Sequence, residues 1–203
     1  MKIEMRDVLY WMDAIRQSDD KYRTLESFWK GQINSKMWLV ENLVHHAQSA
    51  PHDAVICGGW NGVLATLMFN SELDIGRIVS MDRDPACEIT AGTMNKEYEM
   101  QGRFRAITED MLLYGDYAAH NLIINTSCEH LSKQEYDRWI SLLPTNTKII
   151  LQSNDYAELD EHRNCPASLD DFEKTCGLSI SFSGELATEK YTRFMIIGEK
   201  HEG

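Results

Sequence analysis

No stretch of the 203 residues approaches the run of about 18 apolar side chains that a membrane span needs. The opening residues, Met1 to Asp7, carry no hydrophobic leader, so a soluble cytoplasmic protein with no membrane partner is expected. The five cysteines (Cys57, Cys87, Cys128, Cys165 and Cys176) contain no Cys-x-x-Cys pair. That removes the simplest zinc-knuckle and redox motifs and leaves reduced thiols as the expectation. Basic residues are also scarce. Twenty Lys and Arg stand against 32 Asp and Glu, a formal charge of -12, which opposes broad binding to phosphate backbones. Nucleic acid stays open as a partner only through a local patch drawn from Lys30, Lys36, Arg83, Arg103 and Arg105, for which solvated surface charge is the simpler role. Internal repeats and low-complexity segments are lacking, and nothing speaks to the oligomeric state.

What is present is ordinary globular material, 43% hydrophobic and 26% charged. Its length suits one domain, 1–203, with a single well-buried core. Residues 1–50 contain no convincing strand. Val8, Leu9, Met12 and Ile15 recur at helical spacing, and 37–44 reads as a second helix that stops near Ser49-Ala50-Pro51. These helices form a cap over the later sheet. From Asp53 onward short β-rich runs alternate with helical segments, the pattern of a parallel α/β sheet. Strands are predicted at 54–57, 77–81, 104–107, 121–125 and 148–152, and helices near 62–71, 85–98 and 133–142. A further helix starts after Ser168, a good N-cap followed by acids. Strands at 178–182 and 193–197 then follow with only a short polar link, which implies an antiparallel hairpin.

At the end of the first strand stands Gly58-Gly59-Trp60-Asn61-Gly62. Glycines between a strand and a helix allow a tight turn and close ligand approach, and the helix N-terminus offers free N–H groups to an anion. About twenty residues later Asp82, followed by Arg83, closes the second strand, the place of a ribose-hydroxyl acceptor in nucleoside-binding folds. Thr108-Glu109-Asp110-Met111 sets another carboxylate at the end of the third strand, able to accept from an adenine amino group.

On these residues the segment 53–200 resembles the class I, Rossmann-like, S-adenosylmethionine (SAM) methyltransferases. The terminal hairpin is similar too, because the family's seventh strand runs antiparallel between the fifth and sixth. The resemblance implies a mostly parallel seven-stranded α/β sheet, with SAM as cofactor. It further implies that Asp82 holds the ribose, that Asp110 and Met111 border the adenine, and that the glycine loop approaches the methionine part. Two positions depart from the family pattern: Ile56 stands where an acid is usual, and Trp60 stands where a glycine is usual. Trp60 either packs on the cofactor or fills space beneath the N-terminal helices.

Methyl transfer is an in-line displacement, so the protein must mainly align a nucleophile and exclude water. The fourth strand ends in Asn125-Thr126-Ser127-Cys128-Glu129-His130, at the edge where open α/β sheets bind ligands. Asn125 is expected to touch cofactor, Ser127 the acceptor, and Glu129 and His130 are the expected acid–base pair. After the fifth strand, Tyr156 and His162 are candidate pocket walls. Lys36 and Trp38 are candidates to reach the same site from the cap, with helix packing the simpler role for Trp38. A thiol nucleophile at Cys128 and a metal site at His162-Arg163-Asn164-Cys165 are not expected, since neighbours in sequence establish no geometry and two ligands make no site.

The leading expectation is therefore SAM-dependent methylation of an oxygen or nitrogen on a small molecule. The alternatives are aminocarboxypropyl transfer, nucleic-acid methylation, an NAD-linked oxidoreductase, and a silent cofactor-binding partner subunit. The terminal hairpin favours SAM over NAD. The Asp/Asn-Pro-Pro-aromatic motif of amino-group DNA methylases is missing after strand four.

Overall fold

A computed structural model describes residues 1–46, 51–145 and 147–200. The seven predicted strands all form: β1 (His52–Cys57), β2 (Ile75–Asp82), β3 (Phe104–Thr108), β4 (Leu122–Asn125), β5 (Lys148–Asn154), β6 (Leu178–Ala187) and β7 (Thr192–Lys200). They make one sheet in the order β3-β2-β1-β4-β5-β7-β6. The pairs from β3 through β5 are parallel, whereas β7 runs antiparallel to both β5 and β6. The expected α/β class, with its C-terminal hairpin, is thus the observed one.

Helices flank the sheet: α4 (Val63–Phe69), α5 (Pro85–Met94), α6 (Lys96–Met100), α7 (Lys133–Leu142) and α8 (Leu169–Thr175). Central β1 is buried along almost its whole length. Its alternate residues feed two cores. Ala54 and Ile56 join Ile78, Leu122, Ile124 and Ile150 on one face, while Val55 and Cys57 join Met81, Ile123, Leu151 and Trp139 on the other. Ile56, the position where the resembling family carries an acid, is 1% exposed within the first of these.

Several boundaries differ from expectation for identifiable reasons. The helix predicted at 85–98 is two helices, broken at Asn95. Its buried side chain donates from Nδ2 to the Gly62 and Ala91 carbonyls, each at 3.0 Å, so it ties α5 to the glycine turn. The strands predicted at 178–182 and 193–197 are much longer: β7 pairs on both sides, with β5 and β6, and the polar residues of β6 continue along a half-exposed edge. Ser168 caps α8 as expected, accepting from Asp171 N at 3.2 Å.

The N-terminal cap holds three helices, α1 (Met5–Gln17), α2 (Lys21–Glu26) and α3 (Lys30–His46). The stretch predicted at 37–44 is the second half of α3, and its expected stop at 49–51 falls mainly outside the described residues. Trp11 Nε1 donates to Thr66 Oγ1 at 3.3 Å, pinning α1 to α4. Ser35 Oγ donates to Gln152 Oε1 at 3.3 Å, which seats α3 beside the carboxyl end of β5. Trp38 packs beside Gly184 of β6, the packing role expected of it. Among the described residues no helix is long and apolar enough to cross a membrane.

Candidate functional site

The glycine loop leaves β1 under tight constraint. Gly58 and Gly62 have φ of 66° and 78°, and Trp60 shares the positive region at 48°. A Cβ on Gly58 would overlap the Ser127 hydroxyl, and one on Gly59 would overlap that of Ser80. A Cβ on Gly62 would stand 2.6 Å from Asn95 Nδ2 and 2.9 Å from Ala91 Cβ. Backbone conformation and crowding together demand glycine here. Trp60 is half-buried and belongs to neither core cluster. Asn61 is 5% exposed, and its Nδ2 has no partner among the described residues.

Asp82 holds this loop. Its Oδ2 accepts from Trp60 N at 3.0 Å and its Oδ1 from Asp84 N at 3.1 Å, which leaves further lone pairs on both oxygens. The next strand end is built similarly: Asp110 Oδ1 accepts from Leu112 N at 2.9 Å, and exposed Arg83 places Nη1 3.9 Å from Asp110 Oδ2. Asn125, wholly buried, accepts at Oδ1 from Ser127 N (2.9 Å) and Ser127 Oγ (3.2 Å). It donates from Nδ2 toward Met111 Sδ at 3.5 Å. Met111 is held through its carbonyl by the Tyr117 hydroxyl at 2.7 Å. The ten residues assigned to the cofactor, Gly58 to Gly62, Asp82, Arg83, Asp110, Met111 and Asn125, therefore lie at or just beyond the carboxyl ends of β1 to β4, linked by these bonds.

Glu129 departs from expectation. Instead of standing at the mouth with His130, it is 3% exposed. Its Oε1 accepts from Asn154 Nδ2 and Arg193 Nη1, each at 2.6 Å, while its Oε2 has no partner among the described residues. Arg193 also donates to the Thr126 carbonyl, and its Nε is unpaired among the described residues. Ser153 Oγ, at the end of β5, is a further buried atom without a partner among the described residues. Lys36 joins this cluster from α3, with Nζ 2.6 Å from Gln32 Oε1. Burial, aided by the Arg193 charge and opposed by Glu129, pulls its ammonium from 10.5 to about 7.

His130 is exposed and turns to the loop after β5. Its ring centroid lies 4.9 Å from that of His162, with the planes at 82°. Tyr156, half-buried, accepts through its carbonyl from His162 Nδ1 at 2.5 Å and stacks on Tyr191 at 6.0 Å. Cys128 is buried, and burial pushes its thiol well up. Four of the five basic residues considered as a patch are engaged separately, Arg83 beside Asp110. Lys36 is buried, Arg103 lies over the Phe69 ring, and Lys30 sits 4.0 Å from Glu189. Arg193 escaped the sequence reading, whereas Asn154 and Ser153 belong to the polar run 152–156 expected to shape the acceptor pocket and were assigned no individual role. The only signal was that each stands at a strand end on the ligand edge.

No family model and no curated protein matches the sequence. Solved structures do. The magnesium protoporphyrin IX methyltransferase of Synechocystis PCC 6803, crystallised with SAM, superposes with a TM-score of 0.67 at 15% identity, over 97% of this chain and 92% of that one. The N-methyltransferase NodS of Bradyrhizobium japonicum WM9, with S-adenosylhomocysteine, gives 0.68 at 10% identity, over 95% and 99%. The geranyl diphosphate C-methyltransferase of Streptomyces coelicolor A3(2) gives 0.65 at 11%, over 93% and 88%. The fold of this chain is that of the class I SAM-dependent methyltransferases.

Proposed function

We propose that the protein is a SAM-dependent methyltransferase acting on an oxygen or nitrogen of a small molecule. The observation that carries this reading is the alignment of the strained glycine loop, Asp82 and Asp110 along one sheet edge, in a chain that superposes over nearly its whole length on enzymes crystallised with SAM or S-adenosylhomocysteine. The residues fit such a group. Asn61 presents a buried, unsatisfied donor suited to the cofactor carboxylate, the free lone pairs of Asp82 suit the ribose hydroxyls, and Asp110 suits the adenine amino group. Bound SAM supplies an electrophilic methyl group on a sulfonium.

The chain's own part is then positioning. Asp82 holds the loop in its strained path, and Asn125 fixes Ser127 against Gly58. Ser127 and Tyr156 border the acceptor side. Glu129 and His130 handle the acceptor in different ways: Glu129 is held inside by Arg193 and Asn154, while His130 reaches outward. The solved neighbours carry names for quite different acceptors, so their likeness does not select among them.

Calorimetry on the folded chain with SAM and with S-adenosylhomocysteine tests the cofactor. Micromolar binding of at least one is expected, and binding of neither overturns the reading. Analysis of the spent cofactor tests the reaction: S-adenosylhomocysteine is the expected product, and methylthioadenosine in its place would mean transfer of the aminocarboxypropyl group.

A further inference from the structure

Beside the proposed acceptor site, Glu129, His130 and His162 bring one carboxylate oxygen and two imidazole nitrogens together, all within 4.8 Å of one another. The sequence places His162 only as a wall of the same pocket, in a loop beyond β5, and gives no sign that its imidazole meets Glu129 and His130. We propose that these three side chains form a binding site for a divalent transition-metal ion such as Zn2+ or Fe2+.

Two independent features point to a ligand there. Among the described residues Glu129 uses only Oε1, shared by Asn154 and Arg193, and its Oε2 is buried with no partner. A buried carboxylate oxygen without a donor calls for a cation or water. The histidines are also held as metal ligands commonly are. His130 Nδ1 lies 3.3 Å from the Glu161 carbonyl, and His162 Nδ1 lies 2.5 Å from the Tyr156 carbonyl. A carbonyl only accepts, so the proton sits on Nδ1 in both rings. Each Nε2 keeps a lone pair, with a backbone partner fixing ring orientation.

The donor set selects the class of ion. Two imidazoles and a carboxylate suit Zn2+ or Fe2+, whereas Mg2+ and Ca2+ take oxygen ligands. Ligand atoms around a tetrahedral zinc stand about 3.4 Å apart, given bonds of about 2.0–2.1 Å, so the ion would draw the side chains inward by about an ångström. Arg193 does not bar the ion, because it bonds to Oε1 and leaves Oε2 open among the described residues. Three protein ligands leave at least one position open, the hallmark of a reactive rather than a structural site. That position suits an oxygen of the acceptor, a role that rests on the methyltransferase reading. In it His130 handles the acceptor by holding the ion rather than by taking a proton. Metal binding itself does not depend on that reading.

The test uses the untagged full chain, stripped with a chelator and titrated with Co2+ without SAM. One equivalent should bind with visible d–d absorption and be displaced by Zn2+. The double variant His130→Ala/His162→Ala should lose at least about a hundredfold in affinity, while His45→Ala, on the exposed end of α3, should bind as wild type. Circular dichroism of each variant checks folding; Glu129→Gln, if it folds, should lose affinity as well. Absence of stoichiometric Co2+ uptake by the stripped wild type overturns the site, as does undiminished binding by the folded double variant. Calorimetry with SAM on the same sample separates the two readings. SAM binding without metal binding sinks the metal site alone, and metal binding without SAM binding sinks the methyltransferase reading alone.

Discussion

Arg193 Nη1 lies 2.6 Å from Glu129 Oε1, and the two side chains, 8% and 3% exposed, form an ion pair that joins the end of β4 to the start of β7. A buried pair of this kind adds little net stability compared with an apolar pair, but losing one partner strands the other charge. Arg193→Met should therefore lower stability by about 3–5 kcal/mol in urea unfolding. The double variant Glu129→Leu/Arg193→Met should recover much of that loss. If the double variant is as unstable as the sum of the singles, the pair is not coupled as its geometry requires.

The glycine loop yields a second prediction. Gly59→Ala would press a methyl group into Ser80 and should cost about 1–3 kcal/mol by overpacking. Ser80→Ala should relieve part of that cost, because the remaining Cβ approach is 3.2 Å. Gly58→Ala adds strain at φ 66°, worth about 1–2 kcal/mol, so Ser127→Ala should rescue it less completely. Thermal unfolding of the two pairs compares them directly, and equal rescue would contradict this ordering.

Asp82→Ala removes the acceptor for Trp60 N and Asp84 N as well as the proposed ribose contact. SAM affinity should fall at least about tenfold, or ~1.4 kcal/mol. Asp82→Asn, which keeps one acceptor oxygen, should lose less. Unchanged affinity in the alanine variant, read by calorimetry, would remove Asp82 from the cofactor site.

Lys36 predicts a dependence of stability on pH. Its pKa is pulled from 10.5 to about 7 in the fold, so between these values the unfolded chain holds a proton that the folded chain has released. Stability from this group therefore rises with pH above about 7, with a slope of at most ~1.4 kcal/mol per unit. Buried Cys57, pushed up from 9.0 to about 12, acts the opposite way once unfolded thiols ionise, so the clean window is about pH 7 to 8.5. In that window the urea midpoint should rise for the wild type and rise distinctly less for Lys36→Met. Parallel profiles would show that Lys36 is not the titrating group.

Sequence by itself determined the alternation of strands and helices, the glycine turn, the acids closing β2 and β3, and the terminal hairpin. Each of these is written in local periodicity or in spacing along one strand–turn–helix unit, where neighbours in sequence are neighbours in space. Tertiary structure alone decided what the carboxylate at 129 does. Its partner Arg193 is 64 residues away and its cap neighbour Lys36 lies in another layer, so no local pattern could turn Glu129 inward. The same holds for His130 and His162, brought together by a loop crossing over the end of β5, and for Asn95, whose bond to Gly62 33 residues earlier breaks a helix that periodicity would continue. Local chemistry chose the elements and placed the glycine loop. Long-range packing chose which charges were buried, which were paired, and which lone pairs were left free.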